Sequence, residues 1–270
     1  MDLNCEINKA ITDVVPFIMA RWCRTGGFGF APTLPPSVED TYLALKTLEK
    51  THLEAVPGFY PLKANRELRS FLIEIGDKET WRTNTAYQYL AICASCGVEP
   101  DQKWLKTLQA RSSIRPGSLE DIYYLTKIRK ELPNLLWSGD QGGSGKIRLD
   151  WSNAKNLRMC LYLTEGSASS LNATRQELVE WLRRCMNPDG GFGPTPGTTS
   201  FIEYSHWCLS SLALLSDDIP HAIACAAFVL SCRTRGGGFS RRNGAAPSLD
   251  ATWHAVESLN ILGTAINPAQ

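Results

Sequence analysis

The sequence has almost no excess of either charge and no apolar run long enough to cross a membrane. Its 28 basic and 27 acidic residues give a formal net charge of +1, so no overall field favours nucleic acid or an anionic lipid surface. The longest apolar runs, such as HAIACAAFVL from His221, are too short to span a bilayer. The N-terminus also lacks the basic and apolar regions of a secretory signal. These absences predict a cytoplasmic protein with no transmembrane segment and no nucleic-acid partner.

Strand-like alternation of polar and apolar residues is also lacking, which predicts an all-α chain without a sheet. The nine cysteines are an odd number, and without a secretory signal they indicate reduced thiols. An apolar content of 43% is enough for a sizeable core. We therefore predict a single helical domain that spans residues 1–270.

Glycine-rich turns divide the chain into repeated units, and such periodicity indicates a repeat architecture. Gly-Gly-Phe sequences begin at Gly26, Gly190 and Gly237, and an apolar segment follows each one. Gly190 lies 164 residues after Gly26, and Glu203 lies the same number of residues after Glu39. Gly237 lies 211 residues after Gly26. Three weaker copies bring the predicted number of helical hairpins to six.

Each hairpin is predicted to have an amphipathic outer helix, a turn and an inner helix that is apolar on most faces and therefore buried. Predicted helices are 7–23, 65–75, 82–96, 101–111, 118–130 and 151–164, with further hairpins around the turns at Gly26, Gly190 and Gly237. Pro16 predicts a kink or a later start in the first helix. Residues 51–64 and 133–150 are predicted loops. Six such hairpins fit either a closed ring or an open superhelix.

Three segments resemble the prenyltransferase and squalene-cyclase repeat: GGFGFAPTLPPSVEDTYLALKTL, GGFGPTPGTTSFIEYSHWCLSSL and GGGFSRRNGAAPSLDATWHAVESL. The resemblance covers residues 1–265 and implies an α/α toroid of about six hairpins. In that fold the inner helices line a central funnel, and their N-termini surround its active end. Members include protein prenyltransferase β-subunits and class II terpene cyclases, so an isoprenoid or isoprenoid diphosphate is the implied substrate.

Four acids at the starts of inner helices are the candidate catalytic residues, namely Glu39, Asp40, Glu203 and Asp250. Class II cyclases have an Asp-x-Asp-Asp-Thr motif whose middle aspartate protonates the substrate, and Ser-Val-Glu-Asp-Thr places Glu39 there. Carboxylates crowded at one funnel end predict a raised pKa for at least one of them. The alternative role of each acid is to stabilise the N-terminus of its own helix.

Aromatic residues of the inner helices are the candidate isoprenoid-binding residues. Tyr204 and Trp207 match the tyrosine and tryptophan of a Cys-Tyr-Ser-Phe-Trp segment that lines the isoprenoid pocket in farnesyltransferase β-subunits. Tyr124 and His254 fall in the same helical layer as Trp207. Aromatic faces offer apolar area and stabilise carbocations, although core packing explains the same pattern.

Arginines around the last turn are the candidate diphosphate-binding residues, namely Arg235, Arg241 and Arg242. A guanidinium binds phosphate oxygens in a bidentate manner, and a solvated basic loop is the alternative. No metal is expected to be resident in the protein, and Mg²⁺ would enter only together with a diphosphate substrate.

The resemblance also implies where a prenyltransferase would bind zinc through an aspartate, a cysteine and a histidine. Those positions are Phe201, Glu203 and Ala251 here, so the sequence predicts no zinc site. His206, Cys208 and His254 form an imaginable substitute set, but core packing is the preferred interpretation.

Three functions therefore fit the sequence. The favoured one is a cyclase-like enzyme that acts on a polyprenyl diphosphate by acid-initiated carbocation chemistry. The second is a zinc-independent prenyltransferase that works with a partner subunit. The third is a non-catalytic toroid that binds a hydrophobic ligand or a protein.

Overall fold

The computed structural model describes residues 2–51, 62–76, 78, 80–113, 117–132, 149, 151–215 and 218–266, with only the backbone described over 111–113. These residues contain twelve α-helices: α1 Leu3–Thr12, α2 Val15–Met19, α3 Val38–Lys50, α4 Arg66–Glu74, α5 Thr83–Cys96, α6 Gln102–Ser113, α7 Leu119–Glu131, α8 Ala154–Leu163, α9 Arg175–Arg184, α10 Ile202–Leu215, α11 Ala222–Ser231 and α12 Leu249–Ile266. Short 3₁₀ helices lie at Leu62–Ala64 and Ser169–Leu171. Among the described ranges, no helix is both long and apolar enough to cross a membrane.

The predicted helices agree with the observed ones except at the N-terminus. The single helix predicted for 7–23 is two helices, α1 and α2, separated at Asp13 and Val14. Pro16 lies in the first turn of α2, where its missing N–H costs no helical hydrogen bond. The predicted loop at 133–150, apart from residue 149, and most of the predicted loop at 51–64 lie outside the described residues.

The described residues contain one small sheet, although the sequence predicted no strands. The strands β1 Phe28–Gly29 and β2 Pro36–Ser37 pair antiparallel inside the first glycine turn. Strands of two residues are too short for the alternation that indicates a sheet in a sequence. The prediction of no sheet was therefore wrong in this detail, although the chain is overwhelmingly helical.

The three glycine turns have the same backbone conformation. Gly26, Gly190 and Gly237 have φ of +88°, +86° and +88°, a region that favours glycine. A side chain would also collide with the next outer helix, because a Cβ on Gly190 would lie 2.2 Å from the backbone oxygen of Ala224. Each turn therefore needs glycine both for its conformation and for close contact with a neighbouring backbone.

A hydroxyl on each following helix fixes the turn in place. The backbone N–H groups of the three turn phenylalanines donate to Thr41, Ser205 and Thr252, over 2.9, 3.0 and 3.0 Å. These hydroxyls keep the spacings of 164 and 211 residues found in the sequence. The repeat therefore extends to single hydrogen bonds. These three bonds hold the N-termini of α3, α10 and α12 beside their turns.

The described residues form two compact units. The first contains α1, α2, most of α3, and α8 to α12, and the second contains the first glycine turn, the start of α3, and α4 to α7. The prediction of a single domain over 1–270 stays a prediction.

Within the first unit, α10 and α12 are the buried central helices. The helix α10 packs against α8, α9 and α12, and α12 also packs against α11 and α1. The last hairpin contacts the first, since Arg233 forms an ion pair with Asp13. Within the second unit, α5 is the buried helix and packs against α4 and α7. Burial of α5, α10 and α12 on most faces confirms their assignment as inner helices.

Candidate functional site

The central feature of the first unit is a contact between two histidines on neighbouring helices. His206 of α10 and His254 of α12 are 7% and 5% exposed, and their Nδ1 atoms lie 2.8 Å apart. Burial, with a contribution from the nearby charge of Arg158, lowers the pKa of His206 to about 3. Burial, His206 and Lys155 together lower the pKa of His254 well below its usual value. Both imidazoles are therefore neutral at physiological pH.

Two tryptophans surround this histidine pair. Trp207 stacks on His206 with ring centroids 5.2 Å apart, and Trp253 meets the same imidazole edge-on at 5.2 Å. Trp207 and Trp253 also contact His254, at 5.5 and 4.6 Å. The four side chains form a continuous aromatic cluster, which we call the α10–α12 aromatic wall. Its large apolar faces suit an isoprenoid chain.

A fixed guanidinium lies at the start of α10. Arg241 Nε donates to Glu203 Oε1 over 2.5 Å, and the guanidinium carbon lies 4.1 Å from the centre of the Phe201 ring. The carbonyl of Arg241 accepts from the N–H of Ile202 over 2.9 Å, which ties the last turn to α10. The Arg241 side chain is 58% exposed, whereas the Glu203 side chain is 16% exposed. The guanidinium therefore covers the carboxylate of Glu203 and still faces solvent. Glu203 is thus an ion-pair partner, which is a poor role for a proton donor.

The other predicted residues of the first unit lie on α10, on α12 and on the last turn. Asp250 is exposed in the first turn of α12, and its Oδ1 lies 3.6 Å from His254 Nε2. Tyr204 is half-buried, with its ring 6.4 Å from that of Phe201. Arg235 and Arg242 are exposed on the last turn. The first unit therefore groups most of the residues proposed from the sequence.

Glu39, Asp40 and Tyr124 lie in the second unit. Glu39 is exposed in the first turn of α3, and Asp40 accepts a hydrogen bond of 2.6 Å from Ser37 Oγ. Burial is the main cause of a raised pKa at Tyr124, and charges on Tyr123, Glu120, Tyr42 and Glu39 raise it further. Glu39 and Glu120 therefore both act electrostatically on one tyrosine.

Ser37 also accepts from the N–H of Asp40 over 3.0 Å, which confirms it as the N-cap of α3. The equivalent serine of the last hairpin, Ser248, accepts from the N–H of Ala251 over 3.1 Å. These caps set the register at the starts of α3 and α12, and hence the direction in which their first-turn acids leave the helix.

The residues at the position implied for zinc do not fit that metal. Phe201 and Ala251 offer no ligand atom, and the carboxylate of Glu203 is engaged by Arg241. His254 faces His206 through one ring nitrogen and Asp250 through the other. In the described parts of the chain, no group of three or more His, Cys, Asp or Glu side chains is arranged to hold a metal ion.

The sequence analysis missed Trp253, Arg158 and the pairing of the histidines. Trp253 precedes His254 in the last repeat, and an aromatic residue beside a predicted binding residue could have been included among the candidates. Arg158 Nε donates to Ser210 Oγ over 3.2 Å between α8 and α10, a contact across 52 residues that no local pattern reveals.

Comparison with known proteins identifies the family. The chain matches the model of the prenyltransferase alpha-alpha toroid domain over residues 3–218 and 198–270. It is similar to the geranylgeranyl transferase type-2 subunit beta of Candida albicans, with 27% identity over 138 residues. That match covers 49% of this chain and 38% of the relative, so the chain spans about two fifths of the length of that subunit.

The family matches extend over nearly the whole chain, which is predominantly helical. The chain therefore belongs to the prenyltransferase alpha-alpha toroid domain family, and its fold is an all-α, α/α toroid.

Proposed function

We propose that this chain binds an isoprenoid diphosphate and acts as the prenyl-binding subunit of a zinc-independent transferase that has a second, partner subunit. The observation that carries the proposal is the α10–α12 aromatic wall with the Arg241 guanidinium fixed at the start of α10. An apolar wall with a cation near one end matches a ligand that has an apolar chain and an anionic head. The similarity to a β-subunit of a geranylgeranyl transferase supports both the ligand class and the need for a partner.

Three features favour transfer over acid-initiated cyclisation. Protonation of an alkene needs a shielded carboxylic acid, but Glu203 is bound to Arg241. Asp250 is 61% exposed, and Glu39 is exposed as well. Glu203 is engaged by a cation and the other two acids are open to solvent, so none of the three has the shielded setting that alkene protonation requires.

Titration calorimetry of the purified chain with geranylgeranyl diphosphate, farnesyl diphosphate and geranylgeraniol tests the proposal. Arg241→Ala should weaken binding of the diphosphates by about 10-fold, the loss expected for a charged hydrogen bond. The same variant should leave geranylgeraniol binding unchanged, because the alcohol has no anionic head. Trp207→Leu should weaken binding of all three ligands.

Arg184→Ala, on the exposed side of α9, is the matched control and should change none of these affinities. If the wild-type chain binds none of the three ligands, the proposal fails and a toroid that binds another partner takes its place. Equal loss of diphosphate and alcohol binding in Arg241→Ala would show that the arginine supports the structure and does not recognise the head group.

The cyclase remains a second candidate because Glu39 and Glu120 both act on Tyr124. Incubation with geranyl, farnesyl and geranylgeranyl diphosphates and squalene, followed by product analysis, separates it from a transferase. A cyclic product formed by the wild type and lost in Glu39→Gln would establish this role for Glu39. Acid initiation leaves the diphosphate in place, so the expected products are cyclic diphosphates from the prenyl diphosphates and a cyclic triterpene from squalene. Asp250→Asn is the matched variant for the other exposed acid.

A further inference from the structure

The His206–His254 contact restricts where the protons of the two rings are. A hydrogen bond between two Nδ1 atoms requires that one of them carries a hydrogen and that the other presents its lone pair. Burial lowers the pKa of both rings, so each imidazole has a single N–H. Only two arrangements of the two protons satisfy these conditions.

Asp250 selects one of these arrangements. Its carboxylate oxygen lies 3.6 Å from His254 Nε2, and a negative charge attracts an N–H and repels a nitrogen lone pair. His254 therefore has its hydrogen on Nε2, and its Nδ1 accepts from His206 Nδ1–H. His206 is left with a lone pair on Nε2. Arg158 and Lys155 of α8 are the other charged groups that act on the two rings.

We propose that His206, His254 and Asp250 form a proton relay that removes the proton of the prenyl acceptor at His206 Nε2. This inference rests on the proposed transferase function. Where zinc is absent, an acceptor such as a thiol needs another group to take its proton as it attacks. His206 lies in the α10–α12 aromatic wall, against both Trp207 and Trp253, where the isoprenoid is expected to bind.

The chemistry balances within this chain and its two substrates. The acceptor sulfur forms a bond to C1 of the isoprenoid, and the bond from C1 to the diphosphate oxygen breaks with its electrons leaving on the diphosphate. The thiol proton goes to His206 Nε2. The Nδ1 proton of His206 moves to His254 Nδ1, and the Nε2 proton of His254 moves to Asp250.

A relay suits two buried rings better than a single histidine base does. An imidazolium held in the aromatic wall would be costly, because burial disfavours the charged form of both rings. Passing the proton on leaves each imidazole neutral. Asp250 is 61% exposed, so it can release the proton to solvent.

Nitrogen-15 NMR of the histidine rings in the purified chain is the first test. We expect the hydrogen on Nδ1 in His206 and on Nε2 in His254 at neutral pH. Asp250→Asn should populate the reverse arrangement, because the amide N–H can donate to His254 Nε2. Glu180→Gln, an exposed carboxylate on α9, is the control and should leave both rings unchanged. The reverse arrangement in the wild type, or an imidazolium, would overturn the relay whatever the protein transfers.

Single-turnover transfer from geranylgeranyl diphosphate to dithiothreitol is the second test. His206→Gln should slow the chemical step, measured at saturating geranylgeranyl diphosphate, by about 100-fold or more, the usual contribution of a general base. If the wild type transfers the prenyl group and His206→Gln does so at the same rate, the relay is wrong but the proposed function stands. Absence of transfer by the wild-type chain would overturn the assignment of proton removal to this chain, while the binding measurements with the three ligands decide the proposed function separately.

Discussion

Single residues in the glycine turns show how strongly the backbone limits this sequence. Gly190 and Gly197 have φ of +86° and +78°, but only Gly190 is pressed against another backbone. A Cβ on Gly190 would lie 2.2 Å from the Ala224 carbonyl oxygen, whereas a Cβ on Gly197 meets nothing within 4 Å. Substitutions at the two positions therefore distinguish the free-energy cost of the left-handed backbone conformation from that of a steric clash with a neighbouring backbone.

We expect Gly197→Ala to lower the free energy of unfolding by about 1 kcal/mol, the cost of a left-handed conformation for a residue with a side chain. Gly190→Ala should lower it by several times that amount, because α11 must also move. Urea denaturation of both variants measures the difference. Equal losses would show that the contact with Ala224 is relieved at no cost.

His206 gives a prediction for the pH dependence of stability. Its pKa is lowered from 6.5 to about 3 in the folded chain, so between these values the unfolded chain binds a proton that the folded chain does not. Stability should therefore fall as the pH drops from 6.5 towards 3, by about 1.4 kcal/mol per pH unit for this group.

Urea denaturation at about pH 7 and about pH 5 tests this dependence. His206→Gln should show a smaller loss between the two pH values than the wild type. His221→Asn, at an exposed position with positive φ that asparagine tolerates, should keep the wild-type loss. An unchanged pH dependence in His206→Gln would contradict a neutral buried ring.

At the scale of elements, α9 has a complete capping box. Thr174 Oγ1 accepts from the N–H of Glu177 over 3.2 Å, and the Glu177 carboxylate accepts from the N–H of Thr174 over 2.7 Å. Its buried face, Leu178, Val179 and Leu182, is the apolar side expected of an amphipathic outer helix. The cap fixes where α9 begins, and the apolar side fixes which face packs on α10.

We expect Thr174→Ala to lower the free energy of unfolding by about 1 kcal/mol, because an N–H at the start of α9 loses its partner. Thr107→Ala on α6 is the matched control, since that exposed hydroxyl only donates to Lys103 O within its own helix. Alanine is the better helix former, so Thr107→Ala should leave stability equal or slightly higher. Comparable losses in the two variants would mean that the cap adds nothing.

At the scale of the whole molecule, the question is whether the purified chain contains zinc. Phe201 and Ala251 cannot ligate a metal, and Glu203 is held by Arg241, so we expect no stoichiometric zinc by elemental analysis. About one zinc per chain, lost in Glu203→Ala, would contradict this prediction. Treatment with a chelator should likewise leave the thermal unfolding midpoint unchanged, because a chain that holds no metal loses nothing to the chelator.

Local chemistry accounts for the features that the sequence predicted well. The Gly-Gly-Phe turns, the N-cap serines Ser37 and Ser248, and the apolar inner helices depend on residues close together in the chain. Their spacing then identified the repeat and, with it, the toroid family. The break before Pro16 was predicted as a kink or a later start of a single helix, since a proline shows where a helix is disturbed but not whether a second helix precedes it.

The sequence by itself thus determined the helical repeat, the glycine positions and the aromatic character of α10 and α12. Only the tertiary structure decided which side chains meet. Arg241 reaches Glu203 across 38 residues, and His206 reaches His254 across 48. Both contacts depend on how α10, α12 and the last turn pack against one another, because this packing sets the distance between the two side chains of each pair. Helical periodicity gives the face on which a residue lies, but it does not give the partner that the next helix brings to that face.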